Sequence, residues 1–222
     1  GQMNNSVWYN LLMLERVAER AHEFDMLHFH IDFFQFPVFR NIVNRTLTTL
    51  HGRLDLPEIQ PLYRVFNRAP LVSISNNQRK PMPPVNWRGT VYHGLPANQF
   101  HMVEKPKDYL AFLGRISPEK NPEAAIAIAE RAGITLKIAA KVDDVDRKYY
   151  EEVVAPLIAR SPHVEYIGEI NEAQKQIFLG NARALLFPSD GPDPCGGVMI
   201  EAMACGTPVI AFNRGSVPEV ID

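Results

Sequence analysis

The stretch Ala184-Leu185-Leu186-Phe187-Pro188-Ser189-Asp190-Gly191-Pro192-Asp193-Pro194-Cys195-Gly196-Gly197-Val198-Met199-Ile200-Glu201-Ala202-Met203-Ala204-Cys205-Gly206-Thr207-Pro208-Val209-Ile210 reads as strand, loop, helix and second strand. An apolar run ends at Phe187. Pro, Gly and Asp mark a loop, and a helix opens near Gly196. Gly206 suits the residue that ends a helix, and Thr207-Pro208 stops it before the next apolar run. Gly196-Gly197 at the helix start would let a ligand approach the backbone and would offer N–H groups to an anion. Glu201 stands about one turn in, among Val198, Met199, Ile200, Ala202 and Met203. A carboxylate among buried positions needs a partner. Sugar hydroxyls are suitable donors, and a salt bridge is the plain alternative. Asp193, eight positions earlier, either faces the same cleft or merely closes the loop before Pro194.

Working outward, the same alternation recurs. Short apolar, β-branched runs predict strands at 26–31, 47–50, 71–74, 90–92, 109–113, 135–139, 164–167, 184–187 and 208–212. Helical spacing predicts helices at 7–22, 57–67, 118–132, 145–159, 172–181 and 196–205. Continuous apolar strands alternating with helices indicate parallel sheets built from βαβ units. Pro and charged residues over 95–108 suggest a connection, with a boundary near residue 105. The chain is thus expected to hold one half over 1–104 and another over 105–222. Residues 76–86 read as an irregular loop.

A second chemical signal follows a predicted strand, in Leu113-Gly114-Arg115-Ile116-Ser117-Pro118-Glu119-Lys120. Ser117 suits the N-cap of a helix and Pro118 its first position. Lys120 then falls where a capping box would hold Glu or Gln, and with Arg115 it places two cations at a positive helix end. A bound phosphate would explain both. The alternative has both side chains in solvent, neutralised by Glu119 or Glu123.

Composition narrows the classes. Of 222 residues, 46% are hydrophobic and 22% charged, which excludes a disordered chain. Lys plus Arg is 23 and Asp plus Glu 25, a net charge of −2, without the basic surplus of a nucleic-acid-binding module. No apolar run approaches the roughly 20 residues that span a bilayer. Two cysteines, Cys195 and Cys205, make no disulfide scaffold, so a reducing, cytoplasmic setting is expected.

The acid-x7-acid spacing of Asp193 and Glu201, with Glu201-Ala202-Met203-Ala204-Cys205-Gly206-Thr207-Pro208-Val209-Ile210, resembles the signature of retaining glycosyltransferases of family 4 in the GT-B superfamily. Gly114-Arg115 through Lys120 is similar to that family's other donor-site motif. Thr90-Val91-Tyr92-His93-Gly94-Leu95 and Thr49-Leu50-His51-Gly52 are similar to its hinge-side and acceptor-half motifs. The resemblance implies an α/β protein of GT-B type, two Rossmann-like halves with parallel sheets, both incomplete here. It implies a nucleotide-sugar donor, an unidentified sugar, lipid or small-molecule acceptor, and no cofactor or metal. Arg115 and Lys120 would bind the donor diphosphate, and Glu201 the ribose hydroxyls. Asp193 would contact the transferred sugar, and His51 would approach it from the other half. The backbone of Gly114, Gly196 and Gly197 would meet sugar and phosphate. Asp193 replaces the family's first Glu, and Cys195 stands where an aromatic residue is common. A non-catalytic nucleotide- or sugar-binding module and a sugar-nucleotide epimerase are the competing readings. With part of each half outside its ends, the chain alone is expected to be inactive or weakly active.

Other signals carry less. Asp144-Val145-Asp146 spells a metal-type Asp-x-Asp but reads as a charged helix start. His28, His30 and Asp32 alternate on a strand face with no further metal ligand in evidence, which suits a strand end near a cleft better than a zinc site. Phe33, Phe34, Phe36 and Phe39 read as core, with a peripheral membrane or acceptor contact the minority reading. Cys195 near a helix start could have a lowered thiol pKa, but packing is the better reading.

Overall fold

A computed structural model describes residues 6–221. The chain forms two compact units, one ending at Tyr92 and the other beginning at His93. All nine predicted strands are present, each shifted by at most three residues. They are β1 (Leu27–Phe29), β2 (Thr46–Thr49), β3 (Leu71–Ser73), β4 (Trp87–Thr90), β5 (Leu110–Arg115), β6 (Leu136–Lys141), β7 (Val164–Gly168), β8 (Ala184–Phe187) and β9 (Val209–Ala211). The helices are α1 (Ser6–Arg20), α2 (Gln60–Val65), α3 (Pro122–Ala132), α4 (Arg147–Tyr149), α5 (Ala155–Arg160), α6 (Glu172–Gly180), α7 (Gly197–Ala204) and α8 (Val217–Val220). A π turn over Tyr150–Val154 joins α4 to α5, so the helix expected over 145–159 is interrupted.

In the first unit, β1 to β4 form a parallel sheet in chain order. Its strands are short, and β2 and β3 are buried almost throughout. Phe36 and Phe39 enter this unit's cores, as the aromatic run suggested. The irregular stretch 76–86 contains one 3-10 turn, Asn77–Arg79.

In the second unit all pairs are again parallel, but the order is β7-β6-β5-β8-β9. From β5 the chain first winds outward through β6 and β7, then returns to the other side of β5 with β8 and β9. β5 and β6 are in register over six pairs, Leu110 with Leu136 to Arg115 with Lys141. β5 and β8 pair only at Leu110 with Ala184 and Ala111 with Leu185. Beyond these, the C-terminal ends of β5 and β8 separate. Helix α3 lays Pro122, Ala125, Ile126 and Ala129 on the core, the i, i+3, i+4, i+7 face of an amphipathic helix. Asn171 and Gln174 cap α6 reciprocally. Every residue of β8 is buried, and Gly206 takes a φ of 79° after α7.

The stretch read as a connection is folded against this second sheet. Phe100 is buried in its core, Val103 N–H donates to the Cys205 carbonyl at 3.0 Å, and His101 exchanges two bonds with the Gln176 amide. Proline and charge marked the absence of regular structure there, not the absence of packing.

Candidate functional site

In an open parallel sheet, ligands bind outside the C-terminal strand ends, at the point where the strand order reverses. Between β5 and β8 lies a cleft of about 320 Å³. The end of β5 contributes Phe112, Leu113 and Gly114, and the end of β8 with its loop contributes Leu186 to Ser189. Cys195, Gly196, Gly197, Val198 and Glu201 line it from the start of α7, with Lys120 and Lys175 as its cations. A Cβ on Gly196 would sit 2.6 Å from Met199 Cε and 2.9 Å from Phe187 Cζ, so a larger residue here would displace these two side chains.

One local expectation is corrected. Ser117 makes no side-chain cap bond, and Pro118–Lys120 form a separate 3-10 turn. Asn121, at φ 54° and ψ 55°, is the cap, its side chain accepting from Ala124 N–H at 3.2 Å. Pro122 then takes the first helical position and Glu123 the first turn, so Pro and acid both suit the dipole. Lys120 therefore does not oppose the helix. It leaves the turn before it and pairs with the Asp193 carboxylate, its ammonium 5.5 Å from the Phe187 ring centre.

The two cations of this motif separate. Lys120 lines the cleft, whereas Arg115 pairs with Glu119 and lies 3.7 Å from Asp143 and 3.4 Å from Asp146. Burial works to lower the Arg115 pKa, but Glu119, Asp146 and Asp143 outweigh it and raise it. The neutralisation of Arg115 by Glu119 matches the plain alternative stated above. Asp144-Val145-Asp146 is a 3-10 turn whose Asp146 serves this cluster and whose Asp144 pairs with Arg147 at 2.8 Å.

Asp193 is fixed from three sides. Its N–H donates to the Gly191 carbonyl at 2.8 Å, its carbonyl accepts from Ser216 N–H at 3.0 Å, and its carboxylate meets Lys120. Gly215, at φ 57°, lies so close that a Cβ there would be 2.8 Å from both N and O of Asp193. Asp190 N–H and Ser189 Oγ both donate to the Glu119 carbonyl at 3.0 Å, tying this loop to the Lys120 turn. Burial pushes the Cys195 thiol up, the reverse of activation by a helix start.

Glu201 does form a salt bridge. Lys175 Nζ on α6 lies 2.9 Å from its Oε1 and 2.9 Å from Glu172 Oε1. Lys175 escaped the sequence reading. Only its place on the inner side of α6, three residues after Glu172, distinguishes it from any surface lysine. Gly215 was likewise invisible, being 22 residues from Asp193 and marked by nothing but its residue type.

His51 belongs to the first unit, just past the end of β2. Its Nε2 is hydrogen-bonded to His30 Nδ1 at 2.8 Å, and the two rings stack at 5.1 Å. His28 Nε2 bonds Thr49 Oγ1 at 2.8 Å. Among the described residues no three His, Cys, Asp or Glu are grouped to hold a metal ion, and no helix is long and apolar enough to cross a membrane.

Residues 97–222 match the family model described as glycosyl transferases group 1. The chain is 32% identical over 123 residues to an uncharacterised glycosyltransferase of Methanocaldococcus jannaschii, 54% of this chain and 30% of that one. It is 32% identical over 125 residues to the alpha-maltose-1-phosphate synthase of Mycolicibacterium smegmatis, 54% of this chain and 32% of that one. Among solved structures it is similar to HepE of Anabaena in complex with UDP and glucose, with a TM-score of 0.79 at 18% identity, covering 94% of this chain and 65% of that one. The sucrose-phosphate synthase of Thermosynechococcus elongatus gives 0.70 at 20% identity over 92% of this chain and 60% of that one. The match thus spans about a third of these curated relatives. The two parallel α/β sheets are those of the GT-B fold. The chain belongs to the glycosyl transferases group 1 family.

Proposed function

We infer that the second unit binds a nucleotide-diphosphate sugar for retaining glycosyl transfer, in the manner of family 4. The observation that carries this is the cleft at the sheet's reversal point, which joins a glycine-rich helix start to Lys120 and Glu201. In the reaction, the bond between the sugar's anomeric carbon and the diphosphate oxygen breaks. The acceptor hydroxyl oxygen bonds to that carbon, and its proton leaves with the diphosphate. Negative charge grows on the leaving diphosphate. In this reading Lys120 and the N–H groups opening α7 stabilise it in advance, the main electrostatic contribution to such catalysis. These groups supply positive charge without a metal ion. Arg115 would join them by leaving Glu119. Glu201 accepts from the ribose hydroxyls, and Asp193 is assigned to the transferred sugar. The solved HepE structure, which holds UDP and glucose, supports a nucleotide-sugar donor. Two free cysteines support a reducing, cytoplasmic setting.

Calorimetric titration with uridine, adenosine and guanosine diphosphates tests this on wild type and on the Lys120→Ala and Glu201→Ala variants. At least one nucleotide should bind, and both substitutions should weaken it. Unchanged affinity and unchanged sugar transfer in both variants would overturn the reading. Isomerised donor without transfer, followed by NMR, would favour the epimerase, and binding with neither would favour the non-catalytic module.

A further inference from the structure

We propose that Lys175 is a positioning residue which holds the Glu201 carboxylate in place for the ribose diol of a bound nucleoside diphosphate. This rests on the donor-site reading above. Lys175 and Glu201 are equally buried, each side chain 16% exposed, and both line the cleft from neighbouring helices, α6 and α7. Nζ reaches Oε1 at 2.9 Å. A carboxylate offers about four acceptor positions. One bond to Lys175 leaves capacity for two vicinal hydroxyls while removing the rotational freedom of a long side chain. That lowers the entropy lost when a ligand orders the group.

Lys175 is itself held. Glu172, more exposed, takes a second ammonium proton at 2.9 Å. Burial works to lower the Lys175 pKa, and its bonds to Glu172 and Glu201 outweigh this and raise it, so it stays charged. A plain structural tie between α6 and α7 does not account for the arrangement. The helices already share a core through Phe178, Leu179, Ala202 and Cys205, and Thr207 Oγ1 donates to the Leu179 carbonyl at 2.7 Å. The ion pair lies instead where that core opens into the cleft. It spans 26 residues of sequence and ends on an acid that lines the cleft.

The test compares ribose recognition, which a merely structural lysine would not alter. Whichever of uridine, adenosine and guanosine diphosphate binds wild type most tightly is titrated alongside its 2′,3′-dideoxy form. Wild type should prefer the ribose form at least about tenfold, the scale of a hydrogen bond to a charged group. Glu201→Ala should reduce that ratio to near one. Lys175→Met should reduce it several-fold, mainly through the ribose form, while Lys175→Arg restores most of it. Thermal melts of each variant identify any that fails to fold, and Lys175→Gln replaces Lys175→Met in that case. A wild-type ratio in folded Lys175→Met or Lys175→Gln would overturn the proposal. An equal loss for both ligand forms would also overturn it, because Lys175 would then serve the diphosphate. A full ratio in Glu201→Ala, or no binding of any nucleotide by wild type, would instead overturn the donor reading beneath it.

Discussion

The two sheets share parallel strands and differ in strand order, and their polar residues differ accordingly. In the first unit the order β1-β2-β3-β4 runs one way without reversal. Beyond its C-terminal strand ends neutral hydrogen bonds predominate, alongside Arg79 Nε donating to Ser73 Oγ at 2.7 Å and an Arg53–Asp55 pair at 2.7 Å. Gln78 accepts from Ile74 N–H at 2.9 Å and donates to the Leu50 and Gly52 carbonyls at 3.0 and 2.9 Å. His30 and His51 bond each other, and Ser73 bonds Thr90 at 2.8 Å. In the second unit the order reverses at β5, the strand ends part, and the polar groups there are charges in pairs, Lys120 with Asp193 and Lys175 with Glu201. A closed edge is held by a network that any lost member leaves unsatisfied. An open crevice holds charges that a charged, hydroxyl-rich ligand can engage.

The largest expected effect lies in the first unit. Gln78→Ala should cost about 3 kcal/mol of stability, because it strands three backbone groups at once. Urea denaturation should show a lower midpoint, with nucleotide affinity in the folded protein unchanged. If Gln78→Ala altered affinity and left the midpoint alone, the contrast between the sheets would fail. Next comes Lys120→Ala in the second unit, which should weaken nucleoside diphosphate binding roughly 10- to 100-fold, the worth of a charge-assisted bond. Its unfolding midpoint should also fall, because the substitution leaves the Asp193 carboxylate, 13% exposed, without its ionic partner. Gly215→Ala should weaken binding less and cost about 1–3 kcal/mol of stability, its Cβ pressing on the Asp193 backbone at a positive φ. A melting temperature equal to wild type would refute that contact. Arg115→Ala should fall below Lys120→Ala in its effect on binding, because Arg115 pairs outside the cleft. The reverse order would show that Arg115, on leaving Glu119, contributes more to the bound diphosphate than Lys120 does.

The smallest effect is a pH dependence of the first unit. Partial burial, then the neighbouring His30, lowers the His28 pKa below its ordinary 6.5. The folded state thus binds fewer protons there than the unfolded state, so stability is full above about pH 6.5 and declines as pH falls toward the folded value. His28→Gln should flatten the difference in unfolding midpoint between pH 7.5 and 5.5, and an unchanged slope would exclude His28 as its source.

Periodicity and turn chemistry were enough to place all nine strands, the glycine-led start of α7 and its stop at Gly206. These depend on residues within a few positions of each other. The local rule failed at Ser117-Pro118, where Asn121-Pro122 offered a second cap-and-proline pair four residues on and the left-handed backbone of Asn121 decided for it. Of the candidate site, Gly114, Lys120, Gly196, Gly197 and Glu201 were legible by residue type and come together in one cleft. Lys175 and Gly215 were not, since neither breaks a local pattern. By itself, then, the sequence determined the alternating elements, the glycine-led start of α7 and membership of a glycosyltransferase family. Only the tertiary structure decided that the second sheet reverses at β5, that Lys120 faces Asp193 across 73 residues while Arg115 turns away, and that Lys175 meets Glu201. The reason is physical. Burial of one face is written into each segment's own spacing, whereas strand order and charge pairing are settled by which segments pack side by side.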